Sequence, residues 1–112
     1  MTDVRVTVAV ARVLREFLVD PSQPRYGYEL MQLTGFPSGK LYPLLTRLQR
    51  AGWLIREREE VDSAQVGRPV RWLYRLSQTG AVAAPQELAV LVEQLEPPAP
   101  LRLRVQLQGG AA

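Results

Sequence analysis

The strongest constraint on the fold is a pair of helix breaks in the middle of the chain. Residues 35–37 read Gly-Phe-Pro, and Gly52 follows a second helical pattern. Glycine suits a left-handed helix cap and proline cannot continue a helix, so each break ends a helix. We therefore predict a helix over residues 26–34, a tight turn, and a second helix over residues 38–51 that Ser38 caps. This order is typical of a helix-turn-helix unit.

The second of these helices is predicted to be amphipathic. Its apolar positions fall within one arc of a helical wheel and are Leu41, Leu44, Leu45, Leu48 and Ala51. Polar side chains lie outside that arc, among them Ser38, Lys40, Tyr42, Thr46, Arg47 and Arg50. A helix with this pattern packs its leucines against a core and turns its cations outward.

The flanking sequence predicts a first helix and a hairpin. Residues 4–19 have apolar side chains at helical spacing. Alternating apolar and polar residues over 53–59 and 70–76 indicate two strands, and residues 60–69 would form the hairpin loop between them.

A last helix completes the pattern. Ser77 can cap a helix that runs to about Leu95, and Pro85 should kink it or restart it. The order helix, helix, helix, hairpin, helix predicts a mainly α fold with a small β-hairpin wing. This is the winged helix-turn-helix, in which the wing is the hairpin.

The amino-acid composition argues against catalysis and metal binding. The 112 residues include no cysteine and no histidine, which removes the usual zinc ligands and the usual base for a nucleophilic serine. The acidic residues lie mostly at helix ends or in one cluster over residues 57–62. We therefore expect no enzymatic activity, no metal and no cofactor. No stretch approaches 18 consecutive apolar residues, so we expect no membrane-spanning segment and no membrane partner, and the lack of cysteine agrees with a cytoplasmic protein.

The charge distribution favours a polyanionic partner. Residues 25–75 contain nine cations and five anions, so the positive excess lies in the predicted helix-turn-helix and wing. An α-helix fits the major groove of double-stranded DNA. The predicted DNA contacts are Ser38, Lys40, Tyr42, Thr46, Arg47 and Arg50 on the helix, and Arg68 and Arg71 on the wing.

Each predicted contact also has an ordinary structural explanation. Arg47 and Arg50 could belong to a solvated helix face. Tyr42 could pack at the edge of the apolar arc, and Arg68 could lie in a disordered loop. The alternative function is a winged-helix module that binds another protein. The cations on the exposed helix face favour DNA, because a protein-binding face has less need of them.

Five short motifs resemble the PadR family of bacterial transcriptional regulators. They read Tyr-Gly-Tyr-Glu-Leu at 26–30, Gly-Lys-Leu-Tyr-Pro at 39–43, Gly-Arg-Pro at 67–69, Trp-Leu-Tyr-Arg-Leu-Ser at 72–77, and Gly80. The resemblance covers about residues 10–84. It implies a homodimeric repressor that binds palindromic promoter sites. Lys40 departs from the family pattern, which usually has threonine there.

The resemblance also implies an interface between two copies of the chain. Pairing two copies would bury apolar stripes that one small domain leaves exposed. The predicted dimerisation residues are Val6, Val10, Phe17, Leu88, Leu91 and Leu95. Related dimers bind small planar molecules between subunits, so a small aromatic effector is compatible with this resemblance. We assign residues 1–96 to the domain and residues 97–112 to a tail, either an added strand or partly disordered.

Overall fold

The computed structural model describes residues 4–98, which form a mainly helical domain with one small antiparallel sheet. In chain order its elements are α1 Val8–Leu18, β1 Arg25–Tyr26, α2 Gly27–Thr34, α3 Ser38–Arg50, β2 Leu54–Arg58, α4 Ser63–Val66, β3 Trp72–Leu76 and α5 Gln78–Leu95. The predicted fold class, a mainly α winged helix-turn-helix, is confirmed. The predicted tail, from residue 99 onward, lies outside the described residues.

The core forms where α1, α2, α3 and the sheet meet. The leucines of α3 predicted to face it are all buried: Leu41, Leu44, Leu45 and Leu48. They pack in one cluster with apolar side chains of α1, of α2, of the turn before α3 and of the sheet with its preceding residue. These side chains include Val13, Leu14, Leu30, Phe36, Trp53, Leu54, Tyr74 and Leu76. Burying one such apolar side chain contributes about 1.5–3 kcal/mol, so this cluster is the main source of stability.

Two residues predicted to form a dimer interface belong to this core instead. Val10 and Phe17 are 0% and 1% exposed, and both lie in the buried cluster of one chain. The stripe on an amphipathic helix shows which face is buried but does not show whether the cover is the same chain or a second copy. Val6 is half-buried against the same core. Val10 and Phe17 are therefore too buried to contact a second copy of the chain.

Two helices begin differently from the sequence prediction. α1 begins at Val8 rather than at residue 4, because the Thr7 side chain caps it by accepting a hydrogen bond from a backbone N–H of the first turn. The cap residue of α3 is Pro37, so Ser38 is the first helical residue and not the cap. Gly35, with φ 76°, is the predicted left-handed cap of α2.

The wing is the hairpin of β2 and β3, and a third strand joins it. β2 and β3 are antiparallel, and Arg58 lies opposite Trp72 where the two strands join the wing loop. β1, which the sequence did not predict, pairs with the other edge of β3 and places Tyr26 opposite Leu73. Because β1 leads directly into α2, the sheet connects the wing to the helix-turn-helix.

The wing loop contains one short helical turn, α4, that the sequence analysis left as irregular hairpin loop. The Asp62 carboxylate caps α4 by accepting a hydrogen bond of 2.9 Å from the backbone N–H of Ala64. Gly67 ends it with φ 71°, a conformation that favours glycine. The short helix α4 is therefore capped at both of its ends.

Ser77 fixes the start of α5 against the end of α3, and it caps α5 as predicted. Its hydroxyl accepts a 3.0 Å hydrogen bond from the Gly80 N–H and donates to the Gly52 carbonyl. Its own N–H donates to the Trp53 carbonyl over 2.9 Å. A Cβ at Gly80 would lie 2.9 Å from the Trp53 carbonyl carbon, so this close approach requires glycine. α5 continues through Pro85 as one helix.

The small residues of α5 face the core, and most of its larger apolar residues do not. Gly80 and Ala84 are buried, and Leu88 is half-buried against the cluster. The exposed apolar side chains of the same helix include Val82, Val90, Val92 and Leu95. Of the predicted dimerisation residues on α5, Leu88 and Leu91 are half-buried and Leu95 is exposed. No helix within residues 4–98 is long and apolar enough to cross a membrane.

The contact between α5 and the end of α3 predicts an effect of adding one methyl group. Gly80→Ala should destabilise the domain by about 1–3 kcal/mol, because the Cβ meets backbone that cannot move freely. Gly39→Ala is the matched control. No atom lies within 4 Å of a Cβ there, and alanine favours helix, so stability should be unchanged or rise by up to about 1 kcal/mol. Urea unfolding measures both, and equal effects would contradict the packing described here.

Candidate nucleic-acid interface

The outward face of α3 is polar and positively charged. The side chains predicted to contact DNA from this helix are all exposed: Ser38, Lys40, Tyr42, Thr46, Arg47 and Arg50. α3 has no acidic residue, and within residues 4–98 no ion pair links its cations to a carboxylate. The structure therefore brings these six residues together on one element with the positive charge left uncompensated.

The turn before α3 holds Lys40 in place. Its Nζ lies 4.4 Å from the centroid of the Phe36 ring, and the Arg12 guanidinium lies 4.9 Å from the same centroid. Arg12 also donates a hydrogen bond to the Thr34 carbonyl at the end of α2. Cation–π contacts at exposed sites are worth about 0.5–1 kcal/mol, enough to bias where the Lys40 amine sits. Lys40 is thus presented at the N-terminal end of the α3 face.

A cleft of about 600 Å³ runs along the exposed side of α3. Its lining residues are Val4, Tyr42, Pro43, Thr46, Arg47, Arg50 and Ala51. Val4 forms part of this lining from the segment before α1, which the sequence analysis had included in the first helix. Because that segment is not helical, it can lie beside α3 and add to the walls of the cleft.

Tyr42 packs against the start of α2 while remaining 40% exposed. A Cβ on Gly27 would lie 2.9 Å from two carbons of the Tyr42 ring, so the ring can occupy this position only because residue 27 is glycine. Tyr42 also lines a second cleft of about 240 Å³, between α2, α3 and the wing, together with Tyr26, Tyr28, Arg71, Trp72 and Tyr74. Tyr42 therefore has a packing role in addition to its predicted place on the α3 face.

Four residues form a connected group that we call the wing clasp: Tyr26, Glu59, Arg68 and Arg71. The group lies where the wing loop joins β2 and β3, a place that we call the base of the wing. Glu59 is central and only 8% exposed. Its carboxylate accepts a 2.7 Å hydrogen bond from the Tyr26 hydroxyl and bonds of 2.7 and 3.1 Å from the two terminal nitrogens of Arg68. The Arg71 backbone N–H adds a longer contact of 3.4 Å. Such a forked arginine–carboxylate pair is among the stronger polar contacts in proteins.

The wing clasp changes the interpretation of the two wing arginines. Arg68 was predicted to contact DNA, but both of its terminal nitrogens are bonded to Glu59, so its guanidinium is held at the base of the wing. Arg71 remains exposed, and its guanidinium carbon lies 5.5 Å from the centroid of the Tyr26 ring. The cation that the wing presents outward at this point is therefore Arg71.

Glu59 is the residue of this site that sequence reasoning missed. We had grouped it with the other acids of residues 57–62 on the surface. Two of its partners lie far along the chain, Tyr26 at 33 residues and Arg68 at 9 residues, and no local pattern marks a carboxylate that will be buried. Its neighbour Glu57 is exposed and pairs with Arg75 on the adjacent strand at 2.8 Å.

The outer surface of the wing carries a further cation–aromatic pair. The Arg56 guanidinium carbon lies 4.2 Å from the centroid of the exposed Trp72 ring on the adjacent strand. The contact holds both side chains against the hairpin.

The wing clasp also shifts acid–base equilibria. Hydrogen bonds from Arg68 and then from Tyr26 lower the pKa of the Glu59 carboxyl from 4.5 to about 2, although burial acts in the opposite direction. The hydrogen bond to Glu59 is the largest cause that raises the pKa of Tyr26 above its ordinary value, followed by burial. Glu59 is therefore ionised, and Tyr26 neutral, under ordinary conditions.

These shifts predict how the domain responds to acid. The folded-state pKa of Glu59 is depressed, so its contribution to stability is complete above pH 4.5 and is lost as pH falls toward about 2. As pH falls from 4.5 to about 2, the free energy of unfolding should therefore decrease less in Glu59→Gln than in the wild type. Urea unfolding across this pH range measures the difference, and Glu60→Gln, at an exposed neighbour, should keep the wild-type dependence. An unchanged pH dependence in Glu59→Gln would show that the carboxylate is not held as described.

Within the described residues, no group of three or more carboxylate, histidine or cysteine side chains is placed to hold a metal ion. The geometry of this surface is that of a charged helix face beside a braced hairpin. Such a surface is suited to binding.

Comparison with solved structures supports this description of the fold. A PadR-like transcription factor from Bacteroides fragilis shares 27% identity, covers 78% of this chain and 82% of its own, and superposes with a TM-score of 0.59. Reduced AbfR bound to DNA shares 18% identity over 95% of this chain and 70% of its own, with a TM-score of 0.63. A MarR mutant from Escherichia coli shares 22% identity over 96% and 79%, with a TM-score of 0.60. At these last two identities the likeness concerns the fold alone.

Comparison with curated protein sequences gave no significant match. The model of the transcriptional regulator PadR-like family, however, matches residues 17–86, which is more than half of the chain and includes the helix-turn-helix, the wing and the start of α5. The chain therefore belongs to the PadR-like family of transcriptional regulators.

Proposed function

We propose that this protein is a homodimeric, sequence-specific DNA-binding repressor that reads a palindromic operator. The observation that carries the proposal is the exposed face of α3, which has three cations, no acid and no ion pair within the described part of the chain. A helix face with this charge is attracted to a polyanion.

The roles on α3 follow from position along the helix. Ser38 and Lys40 lie in the first turn, where backbone N–H groups and an amine suit a phosphate or a guanine edge. Thr46, Arg47 and Arg50 lie further along the outward face, where side chains can reach base edges in the major groove. Arg71 would contact the neighbouring backbone or the minor groove from the wing. AbfR, a protein of similar fold whose structure contains DNA, supports DNA as the partner.

An apolar groove between α1 and α5 supports the dimer. It has a volume of about 280 Å³ and is lined by Val8, Ala11, Arg12, Arg15, Leu18, Leu88, Leu91, Val92 and Leu95. Its arginines come from α1, whereas α5 carries carboxylates and no cation, so a second copy of α5 would bring opposite charge to the rim. Leu88, Leu91 and Leu95 thus remain as proposed dimerisation residues, with Val8 and Val92 added.

Three further parts of the proposal depend on the dimer and on DNA. Two copies would place two α3 helices about one DNA turn apart, which suits a palindrome. A small aromatic effector, if it binds between subunits, would occupy the α1–α5 groove. A regulator that binds the chromosome would act in the bacterial cytoplasm at the nucleoid, as a binding protein and not as an enzyme.

The α3 assignment predicts specific losses of DNA affinity. Arg50→Ala and Lys40→Ala should each weaken binding by about 1–3 kcal/mol where these side chains contact bases. The probe is a duplex selected from a random DNA pool, and fluorescence anisotropy at several salt concentrations reports the affinity. Arg75→Ala is the control, since it changes the net charge equally but removes a cation that already pairs with Glu57.

Two outcomes would count against this assignment. Wild-type affinity in both α3 variants would remove these residues from the interface. An affinity of the wild type that does not depend on salt would argue against DNA as the ligand, because phosphate contacts release counterions. The alternative function, a protein-binding winged helix, would then be favoured.

The groove predicts the oligomeric state. At micromolar concentration the wild type should sediment as a dimer, and Leu91→Glu should give a monomer, because a carboxylate would enter the apolar interface without a partner. Val82→Glu, an exposed position of α5 that does not line the groove, should stay dimeric. A strictly monomeric wild type would remove the dimer and the palindrome from the proposal.

A further inference from the structure

The position of Glu59 is electrostatically unfavourable if the wing lies on DNA. A carboxylate near a polyanion opposes binding, yet Glu59 occupies the base of the wing beside two arginines. It accepts four hydrogen bonds, and its backbone N–H donates a fifth, of 2.9 Å, to the Arg71 carbonyl. A side chain with so many partners and 8% exposure is held firmly in one position.

The partners of Glu59 come from three separate parts of the chain. Glu59 follows β2, Tyr26 belongs to β1 at the start of α2, and Arg68 and Arg71 lie on the return of the wing loop into β3. The wing clasp therefore ties both sides of the wing loop to the residue from which α2 begins. Since α2 leads through a short turn into α3, these contacts set the position of the wing relative to the recognition helix.

We propose that Glu59 is a positioning residue for DNA binding: it holds Arg68 at the base of the wing and thereby sets where Arg71 meets the DNA. The inference deepens the proposed function and rests on it. Arg68 has both terminal nitrogens engaged by Glu59, whereas Arg71 is exposed and bonds to Glu59 through its backbone alone. Arg71 contacts the DNA, and Arg68 affects DNA binding only by setting the position of Arg71.

A purely electrostatic role for Glu59 predicts the opposite result. If the carboxylate contributed only its negative charge, its removal would tighten DNA binding, as removal of the adjacent exposed Glu60 should. If Glu59 positions the wing, its removal weakens binding despite the more favourable net charge. The sign of the change therefore separates the two roles.

The first experiment compares Glu59→Gln with Glu60→Gln on a random-sequence duplex over a range of salt concentrations. Glu59→Gln is expected to bind about fivefold to tenfold more weakly than the wild type. Its slope of log affinity against log salt should fall by about 0.9, as for one lost phosphate contact. Glu60→Gln should bind as tightly as the wild type or more tightly. Binding by Glu59→Gln that equals or exceeds that of Glu60→Gln would overturn the proposal.

The second experiment asks whether Arg68 acts through Arg71. Arg68→Ala, Arg71→Ala and the double variant are measured on the same duplex. If Arg68 positions Arg71, the double variant should bind no more than about twofold more weakly than Arg71→Ala alone, because the contact is already lost. Full additivity, with a further drop of about 0.9 in the salt slope, would instead make Arg68 a direct DNA contact and overturn the proposal.

Hydrogen exchange separates wing release from loss of the whole fold. In Glu59→Gln without DNA, amides of residues 59–71 should exchange faster, while those of α1 and α3 keep wild-type protection. Tyr26→Phe removes one hydrogen bond to Glu59 without changing charge, and it should weaken DNA binding in the same direction but less. If Glu59→Gln does not fold, the Tyr26→Phe variant tests the proposal in its place. Wild-type DNA affinity in Tyr26→Phe would then overturn the proposal.

The two levels of the proposal fail in different ways. Absence of DNA binding by the wild-type protein would remove the proposed function and this inference together. Wild-type DNA binding combined with no loss in Glu59→Gln would remove only the positioning role of Glu59.

Discussion

Burial of the leucine face of α3 is the constraint on which the rest of the structure depends. Leu41, Leu45 and Leu48 are completely removed from solvent by α1, α2 and the sheet. Successive residues of a helix differ by about 100° in direction, so any rotation of α3 would move a leucine into water and a cation into the core. The outward direction of Lys40 and Arg50 is therefore set by apolar packing on the opposite side of the helix.

The wing loop is held by a different kind of force. The strands of the wing place Leu54, Tyr74 and Leu76 in the apolar cluster, whereas the loop contributes no residue to it and is held by the polar contacts of Glu59. Apolar burial depends little on pH, whereas ionic hydrogen bonds weaken when a partner is protonated. We therefore expect acid to loosen the wing loop before it affects the packing of α3.

Features set by local pattern could be predicted from the sequence, and features set by distant contacts could not. The helical spacing of leucines and the break at residues 35–37 were enough to place α2 and α3. The two residues of β1 are too few to show a pattern, and their pairing depends on β3. Periodicity identified the buried face of α1 but could not reveal that Val10 and Phe17 are covered by their own chain. The α3 contact set remains a prediction, since exposure alone does not show what binds.

The contact between Gly27 and Tyr42 has a consequence for how such proteins can diverge. A side chain at position 27 would overlap the Tyr42 ring where it now lies, so that ring would have to turn away from α2 or be replaced. Added bulk at position 27 therefore changes the position of the Tyr42 side chain. Because Tyr42 stands on the same helix as Arg47 and Arg50, a change in α2 is thereby coupled to the composition of the α3 surface. Libraries that randomise α3 to obtain new specificities should therefore include position 27, or leave Tyr42 unchanged.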